Sequence, residues 1–220
     1  MTVNFATIDK LIEEGFLMDS RFNSPAEIAS LVSKSGVTKS MLSLPKMILL
    51  GLMAGAFIAF GGAASDVAMH GVADVGLARV VAGVIFPVGL MLDVFTGSEL
   101  FTGNCLMIIP TLEKKIKVAS MLRNLVVVYI SNFVGAMIID LLITFSGQLN
   151  YSNGGLGAFT IKVALAKTTI NPATAIISGI LCNILVCLAI VMATGATDAI
   201  GKIFGVFFPI CAFVVCGFEH

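Results

Sequence analysis

An all-α membrane protein is the fold class that this sequence predicts, from three observations. Hydrophobic residues make up 58% of the 220 residues and charged residues only 12%, whereas a soluble domain carries about 25% charged residues. Several apolar stretches reach the roughly 20 residues that a helix needs to cross the hydrocarbon core. The 22 glycines suit close approach of helices in lipid. A formal net charge of zero gives no electrostatic basis for binding nucleic acid.

Residues 1–46 are polar to amphipathic and are predicted to form an N-terminal arm. Within the arm, Ser24-Pro25-Ala26-Glu27 is typical of a helix start, with proline at the first helical position. The predicted helix covers residues 26–41. It either lies on the membrane surface or packs as a solvated arm on the rest of the protein.

Five membrane spans are predicted to follow the arm. Their bounds are residues 47–64, 75–111, 125–145, 159–192 and 200–215. The second span is interrupted in its middle, and Asn171-Pro172 disturbs the fourth. Glycines recur four residues apart at 51 and 55 and again at 201 and 205. This spacing lets helix backbones touch in a membrane and predicts a tight bundle and an oligomer.

Basic residues predict the orientation of the spans, because cytoplasmic connections carry an excess of Lys and Arg. If the spans alternate, the segments before span one, after span two and after span four share one side. They hold five, four and one basic residues, ten of the 13 in the chain. The other side holds Arg79, Lys162 and Lys167. The N-terminus is therefore predicted to be cytoplasmic, in a multi-pass protein of the inner (plasma) membrane.

The interruption in span two, VFTGSELFTG at residues 94–103, is the strongest functional signal. A backbone that stops being helical at membrane depth leaves N–H and C=O groups that lipid cannot satisfy. Such a segment is tolerated only where it is buried in protein or lines a water-filled path. The interruption therefore predicts a pore or a transport site.

Two segments, VFTGSELFTG (94–103) and GILCNILVCLA (179–189), resemble the signature segments of the formate–nitrite transporter family. The terminal GFEH (217–220) resembles the family's broken fifth helix with its central histidine. The resemblance implies a homopentamer with one pore per protomer. Each protomer would be an aquaporin-like bundle of six transmembrane helices in two inverted halves, with helices two and five broken. The present sequence ends within helix five, so we expect the natural chain to continue beyond it.

The same resemblance implies roles for the polar residues of the pore. Lys167 matches the positive charge of the vestibule, although a lysine there can also snorkel to headgroups. His220 matches the central histidine, which can give a proton to a passing anion because histidine titrates near neutral pH. Thr102 matches the threonine that bonds this histidine, or it caps a half-helix starting near Asn104. Asn183 is predicted to bond the broken loops or to bridge helices.

Apolar side chains are predicted to narrow the pore. By position, Phe86 and Phe213 match the family's outer constriction, and Leu90, Leu100 and Phe101 match the inner one; hydrophobic narrowings of this kind gate by dewetting.

Two carboxylates lie in the broken helices. Glu99 and Glu219 occupy one break each, and we expect them to support the breaks by satisfying backbone N–H groups or capping half-helices. Asp93 and Asp140 receive no role.

The predicted function is a membrane channel or transporter for small monovalent anions. Formate is the first candidate, hydrosulfide or nitrite is the alternative, and a neutral-solute pore for water or ammonia is more distant. Asn-Pro-Ala occurs once, at 171–173, without the second Asn-Pro-Ala motif that aquaporins need.

The five cysteines lack CxxC spacing. No enzymatic activity, cofactor or metal is predicted. Residues 1–46 would be a cytoplasmic arm and possible lid, and residues 47–220 the channel domain.

Overall fold

The computed structural model describes residues 22–220, which form α-helices joined by short connections. The α-helices, in chain order, are α1 (Pro25–Ser40), α2 (Leu44–Met69), α3 (Val75–Ile85), α4 (Val88–Thr96), α5 (Phe101–Asn104), α6 (Ile108–Leu112), α7 (Val118–Phe145), α8 (Gly155–Thr168), α9 (Pro172–Gly195) and α10 (Ala199–Cys216). A 3₁₀ turn, Cys105–Met107, links α5 to α6, and a second, Gln148–Asn150, precedes α8.

Five segments of the described chain are long and apolar enough to cross a membrane. They are α2, α3 with α4 (Val75–Thr96), α7, α9 and α10. The predicted all-α membrane class is confirmed. The third span begins at Val118 rather than at residue 125, because Arg123 and Asn124 lower the local hydropathy without ending the helix.

The predicted fourth span, residues 159–192, is wrong as a single element. It consists of α8 and α9, which are separated at Asn171. The side chain of Asn171 accepts a hydrogen bond from the backbone N–H of Ala173 (2.9 Å), and Pro172 occupies the first helical position. The Asn-Pro pair therefore starts a new helix instead of disturbing an existing one.

The start of α1 is confirmed as predicted. Ser24 is the N-cap, and its hydroxyl and the Glu27 carboxylate form a reciprocal capping box. Of the two predicted positions for this helix, the structure has it packed on the protein. Asn23 holds the start of the helix against the end of α9, through hydrogen bonds to the carbonyls of Thr194 (2.9 Å) and Gly195 (2.7 Å).

Helices α2 and α7 pack with their backbones in contact. A Cβ built on Gly55 would lie 1.9 Å from the carbonyl oxygen of Asn132, and one on Gly135 would lie 2.1 Å from that of Leu52. No larger residue fits at either position. The close packing predicted from the glycine spacing at 51 and 55 is confirmed.

The core lies where α2, α4, α9 and α10 meet. Its members are almost fully buried apolar side chains, and they include Ala54, Leu90, Val186, Ile210 and Phe213. Beside this core, the segments that follow α4 and α10 approach each other at Thr102 and His220. The two helix ends carry the polar residues of the candidate site.

Candidate functional site

The first chain break follows α4. Helix α4 ends at Thr96 because Gly97 adopts a left-handed conformation (φ +68°), which L side chains rarely tolerate. Residues 97–100 are not helical, and α5 then begins at Phe101. The second half-helix therefore starts at Phe101 and not near Asn104 as predicted. Thr102 lies within its first turn, and the N-cap is Leu100, which makes no side-chain cap.

Asn132 of α7 satisfies the backbone of this break. Its side-chain N–H donates to the carbonyl of Glu99 (2.8 Å), and its side-chain oxygen accepts from the N–H of Phe101 (2.9 Å). The N–H of Glu99 donates to the carbonyl of Leu50 (3.2 Å). The backbone groups of Glu99 and the N–H of Phe101 thus find protein partners, as a non-helical segment inside a membrane domain requires.

The Glu99 carboxylate is buried in a polar cluster under α1. Lys39 Nζ lies 2.8 Å from one carboxylate oxygen, and Asn104 Nδ2 donates to the other (2.6 Å). Lys39 also donates to Asn104 Oδ1 (2.8 Å), and Asn124 accepts from Asn104 (2.8 Å). The Glu99 carboxylate therefore bonds to the side chains of Lys39 and Asn104, whereas the sequence predicted bonds to backbone N–H groups or the cap of a half-helix. Lys39 joins α1 to this break across 60 positions of sequence.

Helix α10 ends in the same way as α4. Gly217 is the C-cap in a left-handed conformation (φ +71°). The N–H of Glu219 donates to Ser178 Oγ of α9 (2.9 Å). Lys167 Nζ lies 2.5 Å from the Glu219 carboxylate. As at the first break, a lysine from a distant segment neutralises the glutamate that follows the glycine.

The segments after α4 and α10 meet at Thr102 and His220. Thr102 Oγ1 lies 3.5 Å from His220 Nε2, the upper limit for a hydrogen bond. The carbonyl of Thr102 accepts from Asn183 Nδ2 (3.1 Å), so the predicted bond from Asn183 to a broken segment is present. Cys187 Sγ lies 3.5 Å from the same carbonyl. Two side chains of α9, Asn183 and Cys187, thus both donate to the carbonyl of Thr102.

A narrow apolar space lies beside His220, which is itself exposed. The rings of Phe86 and Phe213 have centroids 5.5 Å apart at an interplanar angle of 87°. The imidazole stacks on Phe213, with centroids 5.7 Å apart. Leu90 and Leu100 close the same space and are 1% and 4% exposed. The space between these side chains does not admit a water-sized sphere.

Phe101 lies away from this constriction. Its ring packs against Tyr129 of α7, with centroids 5.2 Å apart. Three side chains that the sequence did not identify complete the lining. They are Ile58, Val186 and Ile210. Nothing separates these aliphatic residues from ordinary core residues in the sequence, since only their positions on neighbouring helices bring them to His220.

Sequence reasoning also missed the polar cluster of Lys39, Asn104, Asn124 and Asn132. A signal was available, because an amide side chain inside an apolar span is costly unless it bonds to protein. Asp93 belongs to the same region. It is 6% exposed and accepts a hydrogen bond from the Ser98 hydroxyl, which closes the turn of the first break. Asp140 is exposed on α7.

Comparison with known proteins places these features in a family. The model of the formate/nitrite transporter family matches residues 26–220. The chain is 41% identical to a "probable formate transporter" of Methanothermobacter thermautotrophicus, over 92% of this chain and 81% of that protein. It is 39% identical to the formate channel BtFdhC of Bacillus thuringiensis, over 90% and 77%. It is 32% identical to the formate channel FocA of Escherichia coli K12, over 89% and 70%.

Solved structures give the same result. A pentameric formate channel with formate bound superposes with a TM-score of 0.73 at 31% identity, covering 80% of this chain and 70% of that chain. An FNT family ion channel superposes with a TM-score of 0.79 at 28% identity, covering 89% and 78%. These relatives are named as transporters or channels, in agreement with the prediction that the chain is not an enzyme.

Proposed function

The chain belongs to the formate/nitrite transporter family, and on this premise we propose that it forms a membrane channel for small monovalent anions, with formate as the first substrate. One observation carries the proposal. The segments after α4 and α10 bring Thr102 and His220 together (3.5 Å) beside a narrow apolar space between Phe86, Leu90 and Phe213.

In the proposed mechanism, the substrate approaches the site as an anion and passes the apolar constriction as a neutral acid. An anion that loses its hydration in an apolar neck pays a large desolvation cost. The imidazolium form of His220 donates its proton to the anion, the neutral acid passes the constriction, and the proton returns to the imidazole when the acid ionises. Lys167 lies at the vestibule, where its ion pair keeps the Glu219 carboxylate (2.5 Å) from repelling the anion.

The proposed architecture is a homopentamer of aquaporin-like protomers. Each has six transmembrane helices in two inverted halves, and helices two and five are broken. The similarity to a pentameric formate channel supports the assembly. The inverted halves are supported by the repeated pattern of a left-handed glycine followed two residues later by a lysine-paired glutamate. Residues 1–46 form the arm and residues 47–220 the channel domain.

The proposed location is the inner (plasma) membrane, with the N-terminus in the cytoplasm. The distribution of ten basic residues on the α1 side of the predicted spans and three on the other supports this orientation. Helix α1 then lies on the cytoplasmic side, and α8 with Lys167 lies outside.

Uptake of isotope-labelled formate into proteoliposomes tests the proposal. His220→Phe removes the proton donor, and Lys167→Glu places two carboxylates at the vestibule, so both variants are expected to reduce formate uptake strongly. Lys162→Gln, an exposed lysine change on the same helix α8, is the control. Unchanged uptake in both variants would overturn the residue assignments.

The same vesicles distinguish the alternatives. Nitrite and hydrosulfide uptake measured in parallel tests the runner-up substrates. Osmotic swelling in glycerol, with no response to anions, would instead identify a neutral-solute pore.

A further inference from the structure

Two basic residues, Lys167 and Arg79, lie near the segment that follows α10, and only Lys167 is paired with a carboxylate. Lys167 and Glu219 form an ion pair at 2.5 Å, so together they contribute no net charge. An anion that approaches His220 from the α8 side therefore needs another positive group to attract it. Only a residue whose charge is not already compensated can provide that attraction.

Arg79 of α3 lies beside Gly217, at the start of the segment that follows α10. Its guanidinium packs over Gly217, where a Cβ would lie 3.1 Å from Nη1, 3.3 Å from Cζ and 3.4 Å from Nη2. Among residues 22–220, the side chain of Arg79 forms no hydrogen bond or ion pair, and the residue is exposed. A guanidinium stays ionised at any physiological pH.

The face of α3 that carries Arg79 leads to the constriction. Gly83, one turn further along, packs against Cys211 and Val215 of α10. Phe86, about two turns from Arg79, contacts the rings of Phe213 and His220. Arg79 therefore lies on the helix face that continues to the histidine, at the end of α10 where the helix dipole favours a cation.

We propose that Arg79 is the residue that attracts and selects the anion on the α8 side of His220. This inference rests on the proposed channel function and narrows the substrate class. A guanidinium presents paired N–H donors that match the two oxygens of a planar anion. Arg79 then favours formate and nitrite, which have two such oxygens, over hydrosulfide, which has none.

Concentration-dependent uptake by purified protein in proteoliposomes tests the inference. Arg79→Lys keeps the charge but loses the paired donors. It is expected to raise the half-saturating concentration of formate and nitrite about tenfold, the equivalent of one charged hydrogen bond, and to leave that of hydrosulfide nearly unchanged. Arg79→Gln is expected to raise all three. Lys162→Gln is the matched control.

A structural role gives a different result. If Arg79 only stabilises the end of α10, Arg79→Lys lowers maximal uptake of all three anions equally without changing half-saturation, and this outcome overturns the inference. If the wild-type protein transports none of the three anions, the proposed channel function fails instead. A wild-type channel that is insensitive to Arg79 substitution rejects only the role of Arg79.

A second measurement uses the unmodified protein. Phenylglyoxal reacts with accessible arginines, and mass spectrometry quantifies its adducts. Formate is expected to slow modification of Arg79 but not of Arg123, which donates to the carbonyl of Leu42 on the α1 side. Equal rates at Arg79 with and without formate would contradict binding at this position.

Discussion

The ends of α4 and α10 use the same chemistry in different surroundings. Each helix ends at a left-handed glycine, Gly97 (φ +68°) or Gly217 (φ +71°), and a glutamate two residues later pairs with a distant lysine. The first pair is mostly buried, with Glu99 and Lys39 side chains 5% and 25% exposed. The second is open, with Glu219 and Lys167 side chains 26% and 52% exposed.

Burial assigns the two breaks different roles. Around Glu99, amides from α5 and α7 bond to the pair and its backbone, so this break is a rigid support for Leu100 and Thr102. Around Glu219, the pair faces solvent and lies close to His220. In the proposed channel, the buried segment after α4 holds the geometry, and the open segment after α10 lies where the anion passes.

The largest expected effect comes from removing the lysine of the buried pair. Lys39→Met leaves the Glu99 carboxylate buried without a cation, which costs about 3 kcal/mol of unfolding free energy. Denaturant titration in detergent measures the loss. Lys39→Met/Glu99→Gln is expected to recover most of it. A loss no larger than that of Lys115→Met, which breaks an exposed pair, would remove the distinction between the breaks.

Alanine substitutions at Gly97 and Gly217 distinguish an effect of backbone strain on stability from an effect on formate transport. Gly97→Ala and Gly217→Ala each force a side chain into the left-handed region, at a cost of about 1–2 kcal/mol. A Cβ at position 97 meets nothing within 4 Å, whereas one at 217 meets the Arg79 guanidinium. Only Gly217→Ala is expected to change the half-saturating formate concentration. Gly154→Ala (φ +85°), also in open space, is the control, and an equal transport effect at 97 and 217 would contradict the comparison.

Removing the lysine of the open pair is expected to affect transport more than stability. Lys167→Met changes the unfolding free energy by less than about 1 kcal/mol, because exposed ion pairs contribute little. It leaves the Glu219 carboxylate uncompensated beside the anion path, so formate uptake falls several-fold, and Lys167→Arg restores it. A stability loss as large as that of Lys39→Met, with normal uptake, would reverse the proposed roles.

The smallest effect concerns the second anchor of α1. Hydrogen bonds from Ser33 and from Lys115 hold the pKa of Glu113 below its ordinary value of 4.5. A carboxyl whose pKa is lowered by folding stabilises the docked helix above that ordinary value and loses this contribution as the pH falls through the folded pKa.

Docking of α1 is therefore expected to be constant from pH 7 to about pH 5 and to weaken below about pH 4.5. Hydrogen exchange of residues 25–40 measures the change. Glu113→Gln should abolish this pH dependence while the Lys39 contact remains. Unaltered pH dependence in that variant would assign it to another group.

Local features of the fold were predictable. The capping box at Ser24, the close packing at Gly55 and the interruption after Thr96 depend on residues near one another in sequence, and the two signature segments with their histidine indicated the family. The division of residues 155–195 into two helices was missed because the polar stretch 167–172 was interpreted as a disturbance within one span, whereas the Asn171 side chain caps a new helix.

What the sequence by itself determined is the class of protein, the places where helices start or stop, and the residue types at both breaks. Only the tertiary structure decided which side chains meet there. Lys39 and Glu99 are 60 positions apart, Thr102 and His220 are 118 apart, and Phe101 turns to α7 while Ile210 reaches the constriction. The periodicity of hydrophobic residues describes one helix at a time, whereas these contacts depend on how several helices pack together.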